Sequence, residues 1–352
     1  MNQDTPLVAS RPLLVIYTGG TLGMVQGAEG LVPGGDIEAR LARALAALPP
    51  ESHAALPEYE VLSLSSPIDS SAATPREWQR LAGEIAGRFR DHAGIVVLHG
   101  TDTLAWTASS LAYQLQGLDR PVVLTGAMQP LEAPGSDAAD NLALALSFAA
   151  NPALQEVAIA FGGRLLRGLR ARKWQTRGAD AFASPNYPLL GERVGSDAVL
   201  YPGRGLAHRQ RGAPRFELPD YAPLADGGVA RIVLWPGIGA RQVAAWLDDP
   251  RLKGALLEVW GGGNVPAERE LIGVLARASG EGKLLAALSQ CPHGGIEIGH
   301  YAAGQGLAAA DVLSADAMTP EAALTKLVHL LAQPLPEEER RRRFLTPLAG
   351  ER

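Results

Sequence analysis

The sequence predicts an α/β fold of two domains, with a larger N-terminal domain on a mostly parallel sheet flanked by helices and a smaller C-terminal α/β domain. Short apolar runs alternate with longer amphipathic stretches, and a segment rich in Pro and Gly interrupts this alternation after residue 202. Alternating strands and helices favour a parallel sheet covered on both faces. The length of 352 residues also favours two domains over one.

The N-terminal elements follow from the spacing of apolar residues. Strands are predicted from five apolar runs, at 13–17, 59–63, 95–99, 122–126 and 156–161. Helices are predicted between them, near 36–48, 75–90, 103–116 and 137–150. The second of these has the best-marked start, because Thr74, Pro75 and Glu77 form a capping box with proline at the first helical position.

The domain boundaries are predicted from composition. Residues 1–205 form the N-terminal domain, 206–228 the linker and 229–352 the C-terminal domain. Prolines and glycines within and just before the linker break any long element. The alternation then resumes, with strands near 232–235, 255–259 and 284–288, and helices near 240–248, 266–278 and after Pro320.

Bulk composition narrows the class of protein. A net charge of -5 gives no electrostatic reason to expect nucleic acid or a membrane as partner. The single cysteine, Cys291, excludes an internal disulfide framework and fits a reducing compartment. No basic segment followed by a long apolar run precedes the first strand, so we expect no signal peptide and a cytoplasmic location.

Two predicted strands end in loops that carry hydroxyl groups. Thr18-Gly19-Gly20-Thr21 follows the first strand, and His99-Gly100-Thr101-Asp102-Thr103 follows the third. Ligands bind at the carboxyl ends of strands in open α/β sheets, and glycines let the backbone approach them closely. Taken alone, the first motif is also compatible with a plain turn or a phosphate loop, and the second with a helix start.

Two further segments carry polar groups with simpler explanations of their own. Asp69-Ser70-Ser71 follows the second strand and can hold the backbone of an amino acid, although turn chemistry explains the same residues. Lys173 ends a basic stretch, in which a lysine is normally solvated. The order of all four segments is therefore more informative than any one of them.

In this order the four segments resemble the bacterial-type asparaginases, and in particular the type I, cytoplasmic branch. The likeness extends over about 12–333. Further segments similar to the family are Arg167-Gly168, Ala181-Phe182-Ala183-Ser184-Pro185-Asn186, Gly263-Asn264 and Tyr301-Ala302-Ala303-Gly304. The resemblance implies hydrolysis of the side-chain amide of L-asparagine to L-aspartate and ammonia, with no metal or organic cofactor, by a homodimer or homotetramer.

The resemblance also implies roles for particular residues. Thr21 is expected to be the nucleophile that forms an acyl-enzyme. Thr101, Asp102 and Lys173 are expected to form a second catalytic cluster, with the lysine as proton acceptor. Substrate binding is assigned to Gly20, Asp69, Ser70, Ser71, Thr101 and Asp102.

Two departures from the family pattern stand out. Leu31 occupies the position where type I relatives often carry a tyrosine that assists the nucleophile, and Tyr301 is the candidate replacement. At the effector site of some type I members, Arg172 replaces a threonine and Glu258 an arginine, whereas Cys291 matches. The reversed charge at Glu258 is expected to repel the carboxylate of an effector.

Other functions stay open on the sequence. The chain can act on glutamine or another amide, or bind an amino acid as a non-catalytic sensor. An amidotransferase subunit of the archaeal type shares the motifs, but its usual additional N-terminal region is disfavoured by a first strand near Leu13. The absence of G-x-S-x-G disfavours a serine hydrolase, and the seven histidines lack H-E-x-x-H spacing for a metallohydrolase.

Overall fold

The computed structural model describes residues 11–266, 268–299 and 305–352. Each half of the described chain is built around its own sheet of mainly parallel strands, with helices packed on the faces. The predicted α/β class, with a larger N-terminal and a smaller C-terminal domain, is therefore confirmed.

The N-terminal half contains thirteen strands and five helices among the described residues. The strands are β1 (Leu13–Tyr17), β2 (Met24–Gly27), β3 (Gly30–Pro33), β4 (Tyr59–Ser63), β5 (Ile95–Leu98), β6 (Leu115–Gln116), β7 (Val122–Thr125), β8 (Val157–Phe161), β9 (Arg164–Arg167), β10 (Arg172–Lys173), β11 (Phe182–Ala183), β12 (Gly191–Val194) and β13 (Asp197–Leu200). The helices are α1 (Ile37–Ala46), α2 (Pro50–Ala54), α3 (Pro75–Arg88), α4 (Leu104–Gln114) and α5 (Ala138–Ala149).

The main sheet has eight strands in the order β13-β12-β9-β8-β7-β5-β1-β4. The five predicted strands β4, β1, β5, β7 and β8 are present and run parallel. The remaining three, β9, β12 and β13, extend the sheet in an antiparallel manner and were not predicted from the sequence. They are short and include charged residues, so they lack the continuous apolar runs that mark strands buried on both faces.

The alternation of side chains along the parallel strands divides the N-terminal core into two layers. Leu14 and Ile16 of β1 point into the layer that contains α3 and α4, whereas Leu13 and Val15 point into the layer that contains α1 and α5. All four side chains are almost completely buried. Truncation of such a leucine to alanine typically costs ~2–5 kcal/mol, so this burial stabilises the strands that carry the two hydroxyl loops.

The second half of the chain contains a four-stranded parallel sheet in the order β15-β16-β17-β18. Its strands, and β14 before it, are β14 (Arg215–Phe216), β15 (Val229–Val233), β16 (Gly254–Val259), β17 (Leu284–Ser289) and β18 (Leu313–Ser314). The helices are α6 (Ala240–Leu247), α7 (Arg269–Gly280), α8 (Gln305–Ala309), α9 (Pro320–Leu331) and α10 (Glu337–Leu345). Among the helices that the structure describes, none is both long and apolar enough to cross a membrane.

Helix α9 joins the two halves. It packs against α4 of the N-terminal half and against β15, β16 and β17 of the C-terminal sheet. One hydrophobic cluster accordingly contains residues from both sheets, including Ile16 of β1 and Leu256 of β16. The domain bounds 1–205, 206–228 and 229–352 stay a prediction.

The middle of the predicted linker is bonded to both halves of the chain. Phe216 of β14 pairs with Leu115 of β6 in the N-terminal half. The next residue, Glu217, accepts hydrogen bonds at 2.8 and 2.9 Å from Arg343 of α10, and its carboxylate lies 3.0 Å from Nε2 of His329 in α9. Burial opposes the charge on Glu217, but the hydrogen bonds from His329 and Arg343 prevail and lower its pKa to about 2.

We expect Glu217→Gln to lower the free energy of unfolding at pH 7, because the charged hydrogen bonds to His329 and Arg343 are lost. The folded pKa of about 2 lies below the reference value of 4.5, so the contribution of Glu217 is present above pH 4.5 and is lost as the pH falls toward 2. Urea unfolding of both proteins over that range should show their difference shrinking. The exposed Glu338→Gln is the control, and a difference independent of pH would contradict the assignment.

Candidate active site

The first motif forms a tight turn at the end of β1. Gly19 and Gly20 have φ angles of 122° and 94°, in the region that residues with a Cβ atom rarely adopt. A Cβ atom on Gly20 would lie 2.5 Å from the backbone nitrogen of Gly100. Only glycine therefore allows the turn that leads to Thr21 to rest directly on the second motif.

The second motif begins at the same end of the sheet as the first. Tyr17 at the end of β1 is paired with Leu98 at the end of β5, so the two motifs leave neighbouring strands at the same level. The Thr18 hydroxyl donates to the Leu98 carbonyl oxygen at 2.8 Å. The first two motifs are thus adjacent in the fold.

Ser70 lies between these loops and is buried, with 7% of its surface exposed. A Cβ atom on Gly100 would collide with the side chain of Ser70. Thr103 donates its hydroxyl hydrogen to the Ser70 carbonyl oxygen at 2.7 Å, which attaches the start of α4 to this segment. The segment after β4 is therefore packed against the second motif.

Asp69 and Ser71 flank this buried serine and are exposed. The carboxylate of Asp69 accepts hydrogen bonds from the backbone nitrogen and the hydroxyl of Ser71, at 2.9 and 2.8 Å. The hydrogen bond from the Ser71 hydroxyl is the main cause of a lowered pKa for Asp69. These contacts are the ones expected if Asp69 and Ser71 only form a turn. Substrate binding by the two residues stays a prediction.

Thr101, Asp102 and Lys173 are in direct contact. The Lys173 ammonium group donates to Oγ1 of Thr101 at 2.8 Å and to Oδ1 of Asp102 at 2.7 Å. Thr101 is buried, the Lys173 side chain is 21% exposed, and the Asp102 side chain is 63% exposed. Lys173 is therefore not the freely solvated lysine that its basic surroundings suggested.

Lys173 reaches this position from a two-stranded ribbon. It lies in β10 and pairs with Phe182 of β11, whose ring contacts that of Phe161 at the end of β8. The ring centroids are 4.9 Å apart. The segment at 181–186, which resembles the family, thus has a structural role, because its strand β11 pairs with β10, the strand that carries Lys173.

His99 supports the second motif in a way that the sequence analysis did not identify. Its ring is buried, with Nδ1 2.8 Å from the Gly100 carbonyl oxygen and Nε2 3.0 Å from the Thr107 hydroxyl on α4. Burial lowers the pKa of His99, so the ring is neutral at pH 7 and has one donor for the carbonyl oxygen. The sequence signal for this supporting role was the position of His99 as the first residue of the second motif.

Leu31, at the usual tyrosine position, and Tyr301, the candidate replacement, lie in different parts of the chain. Leu31 is in β3 of the hairpin formed by β2 and β3, opposite Gln26, and is 46% exposed. Tyr301 lies outside the described residues, so its expected contact with Thr21 stays a prediction. Among the residues that are described, no group of three or more His, Cys, Asp and Glu side chains could hold a metal ion.

The residues at the predicted effector site have ionic partners within the chain. Glu258 forms an ion pair with Arg231, and both residues are in the C-terminal sheet. Arg172 lies 3.6 Å from the buried Glu321 of α9. The Cys291 side chain is exposed.

Comparison with known proteins gives the family. The model of the N-terminal asparaginase domain matches residues 12–203, and that of the glutaminase/asparaginase C-terminal domain matches residues 228–344. L-asparaginase 1 of Escherichia coli is 37% identical over 341 residues, which cover 97% of this chain and 98% of that protein.

Solved structures agree with this result. The structure of L-asparaginase I from Vibrio cholerae superimposes with a TM-score of 0.85 at 36% identity and covers 97% of this chain and 99% of its own. That of the thermostable L-asparaginase from Thermococcus kodakarensis gives a TM-score of 0.84 at 31% identity, with 97% and 98% covered. With both domain models matched and nearly the whole chain aligned, this protein belongs to the asparaginase family.

Proposed function

We propose that this protein hydrolyses the side-chain amide of L-asparagine to L-aspartate and ammonia. The observation that carries the proposal is the contact of Lys173 with Thr101 and Asp102, beside the Gly20–Gly100 contact that brings the turn before Thr21 onto the same loop. The relative at 37% identity is an L-asparaginase, which supports the same substrate.

In the proposed reaction Thr21 attacks the amide carbon of the substrate. Its hydroxyl oxygen forms the new ester bond and the carbon–nitrogen bond breaks. The departing nitrogen takes up the proton that the Thr21 hydroxyl has lost, so ammonia leaves. Water then cleaves the ester and releases aspartate. A threonine hydroxyl is a weak nucleophile until a base accepts its proton. The route that we propose for this proton runs through Thr101 to Lys173, which accepts it when Nζ is in the neutral amine form.

Asp102 suits recognition of the substrate's α-ammonium group. One carboxylate oxygen accepts from Lys173 at 2.7 Å, and the 63% exposure of the side chain leaves the carboxylate open to a ligand. A charged hydrogen bond from the α-ammonium group is stronger than one between neutral groups. The α-ammonium group and Lys173 would both bind the carboxylate of Asp102. Substrate binding is therefore coupled to Lys173, the proposed proton acceptor.

Ser70 completes the proposed binding site. We assign its hydroxyl, with backbone groups near Gly20 and Ser71, to the α-carboxylate group, and keep Asp69 among the proposed substrate-binding residues. Its burial beside Gly100 supports this assignment because the hydroxyl is close to the loop of Thr101 and Asp102. Tyr301 remains our proposed source of the phenol that Leu31 cannot supply.

The activity is tested by coupled ammonia assays on L-asparagine, L-glutamine and D-asparagine. Ammonia release from L-asparagine distinguishes an enzyme from a non-catalytic sensor. Faster release from L-glutamine would assign the site to the longer amide and overturn the substrate that we propose.

We expect Thr21→Ala to reduce kcat by ~10⁴-fold or more, because the oxygen that forms the covalent bond is removed. Thr21→Ser is the matched control, since it keeps the hydroxyl and should retain measurable turnover. Lys173→Met should also be nearly inactive, because it keeps the stem and loses the proton acceptor. Lys253→Met, at an exposed position, should behave as wild type. A Thr21→Ala protein with most of its kcat would exclude Thr21 as the nucleophile.

We propose that saturation by asparagine is hyperbolic. Glu258 and Arg172 are already engaged with Arg231 and Glu321, so the charges at the predicted effector site are balanced within the chain. Initial rates over a wide range of asparagine concentration should give a Hill coefficient near one. A coefficient above ~1.5, with a second asparagine bound per subunit, would contradict this expectation.

We further propose a cytoplasmic homodimer or homotetramer. The exposed free Cys291 is compatible with a reducing compartment. Sedimentation at micromolar concentration should give at least twice the chain mass of 37.0 kDa. A single species at the chain mass would refute the oligomer.

A further inference from the structure

The short turn that begins at Thr21 is held at every carbonyl oxygen that follows. The Thr21 carbonyl oxygen accepts from the Met24 backbone nitrogen, and the Leu22 carbonyl oxygen accepts from the Leu131 nitrogen at 3.1 Å. The Gly23 carbonyl oxygen accepts from the Gly34 nitrogen at 3.0 Å. A turn fixed along its length holds its first side chain in one direction.

One side chain supplies further bonds to this turn. Arg40 of α1 donates from Nη1 to the Gly23 carbonyl oxygen at 2.7 Å and from Nη2 to the Met24 carbonyl oxygen at 3.2 Å. Its guanidinium group also donates to both carboxylate oxygens of Glu132, from Nε at 2.6 Å and from Nη2 at 2.7 Å. Arg40 is only 6% exposed, whereas the Glu132 side chain is 54% exposed.

Two glycines leave space for the side chains that pack against the turn. A Cβ atom on Gly34 would collide with the Arg40 guanidinium group, and one on Gly23 would collide with the Tyr17 hydroxyl. The turn is therefore enclosed between a tyrosine from β1 and an arginine from α1. Met24 also begins the hairpin that carries Leu31, so Arg40 holds the base of that hairpin as well.

We infer that Arg40, oriented by Glu132, is a positioning residue for the reaction, because its guanidinium fork sets the direction of the Thr21 hydroxyl through the Gly23 and Met24 carbonyl oxygens. The inference rests on the proposed role of Thr21 as nucleophile. None of the Arg40 hydrogen bonds goes to Thr101, Asp102 or Lys173, so the effect of Arg40 reaches Thr21 through the backbone of the turn.

A positioning role has a kinetic signature that differs from a structural one. A misplacement of about 1 Å in a reacting group can cost ~10²-fold in rate. The hydrogen bonds of Arg40 go to Gly23, Met24 and Glu132, none of which is assigned to substrate recognition, so KM should change little. A residue needed only for stability would lower the melting temperature but leave the kcat of the folded protein unchanged.

The chain offers a matched control in Arg120. Its guanidinium group also donates to two backbone carbonyl oxygens, those of Phe89 at 3.2 Å and His92 at 2.6 Å, and pairs with Asp119 at 2.9 Å. It lies before β7, at the amino ends of the parallel strands, on the sheet edge opposite Thr21. Arg120→Met thus removes the same kinds of contact without affecting the turn.

The experiment measures kcat, KM and thermal unfolding for four variants. Arg40→Met should lower kcat ~10–100-fold with KM within about threefold of wild type. Arg40→Lys should recover part of kcat, because an ammonium group can still hold one carbonyl oxygen. Glu132→Gln, at an exposed position, should lower kcat less than Arg40→Met and again leave KM nearly unchanged. Arg120→Met should lose stability and keep kcat.

Each outcome decides the inference. Wild-type kcat in folded Arg40→Met, or an equal loss in Arg120→Met, would overturn it. If Arg40→Met does not fold, Arg40→Lys and Glu132→Gln take its place, and wild-type kcat in both would overturn it. The proposed function is tested separately. Activity in Thr21→Ala would contradict the assignment of Thr21 as nucleophile. An inactive Thr21→Ala together with fully active Arg40 variants would contradict only the positioning role of Arg40.

Discussion

The close approach of two loop backbones at Gly20 and Gly100 is the constraint on which the site depends. With a Cβ position on Gly20 only 2.5 Å from the backbone nitrogen of Gly100, neither loop can move without the other. Ser70 packs against the same glycine, and Thr103 is bonded to the Ser70 carbonyl oxygen. The loops that follow the neighbouring strands β4, β1 and β5 are therefore held together by close packing and a neutral hydrogen bond, without a charged group.

The C-terminal half supports this assembly through helix α9. Lys326 of α9 is fully buried and donates to the carbonyl oxygens of Phe344 and Thr346, and to the buried Glu351 at 2.5 Å. Desolvation lowers the pKa of Lys326 to about 8. Removing one partner of such a pair typically costs ~3–5 kcal/mol, because the other charge stays buried. Since Arg170, three residues before Lys173, donates to the Gly350 carbonyl oxygen, this buried pair also braces the segment of the proposed proton acceptor.

The limits of sequence reasoning are clear at particular residues. The strands at 13–17 and 95–98 were predictable, because both faces of a parallel strand are buried and the apolar run is continuous. The antiparallel strands β9 and β12 were missed, since their pairing is determined by neighbours that are distant along the chain. His99 and Arg40 were missed as site residues for a related reason. Each bonds to backbone carbonyl oxygens, and the sequence does not show which carbonyl oxygen a side chain reaches.

The sequence by itself determined the fold class, the order of the motifs and the family, because these depend on local periodicity and on short segments that can be recognised in one dimension. The family resemblance implied a cluster of Lys173 with Thr101 and Asp102, but only the tertiary structure showed the contact. A separation of about seventy residues along the chain does not give a distance in space. The tertiary structure likewise decided that Glu258 is paired with Arg231. The physical reason is the same in both cases: hydrogen bonds and ion pairs require contact within a few ångströms, and contact is a property of the folded chain.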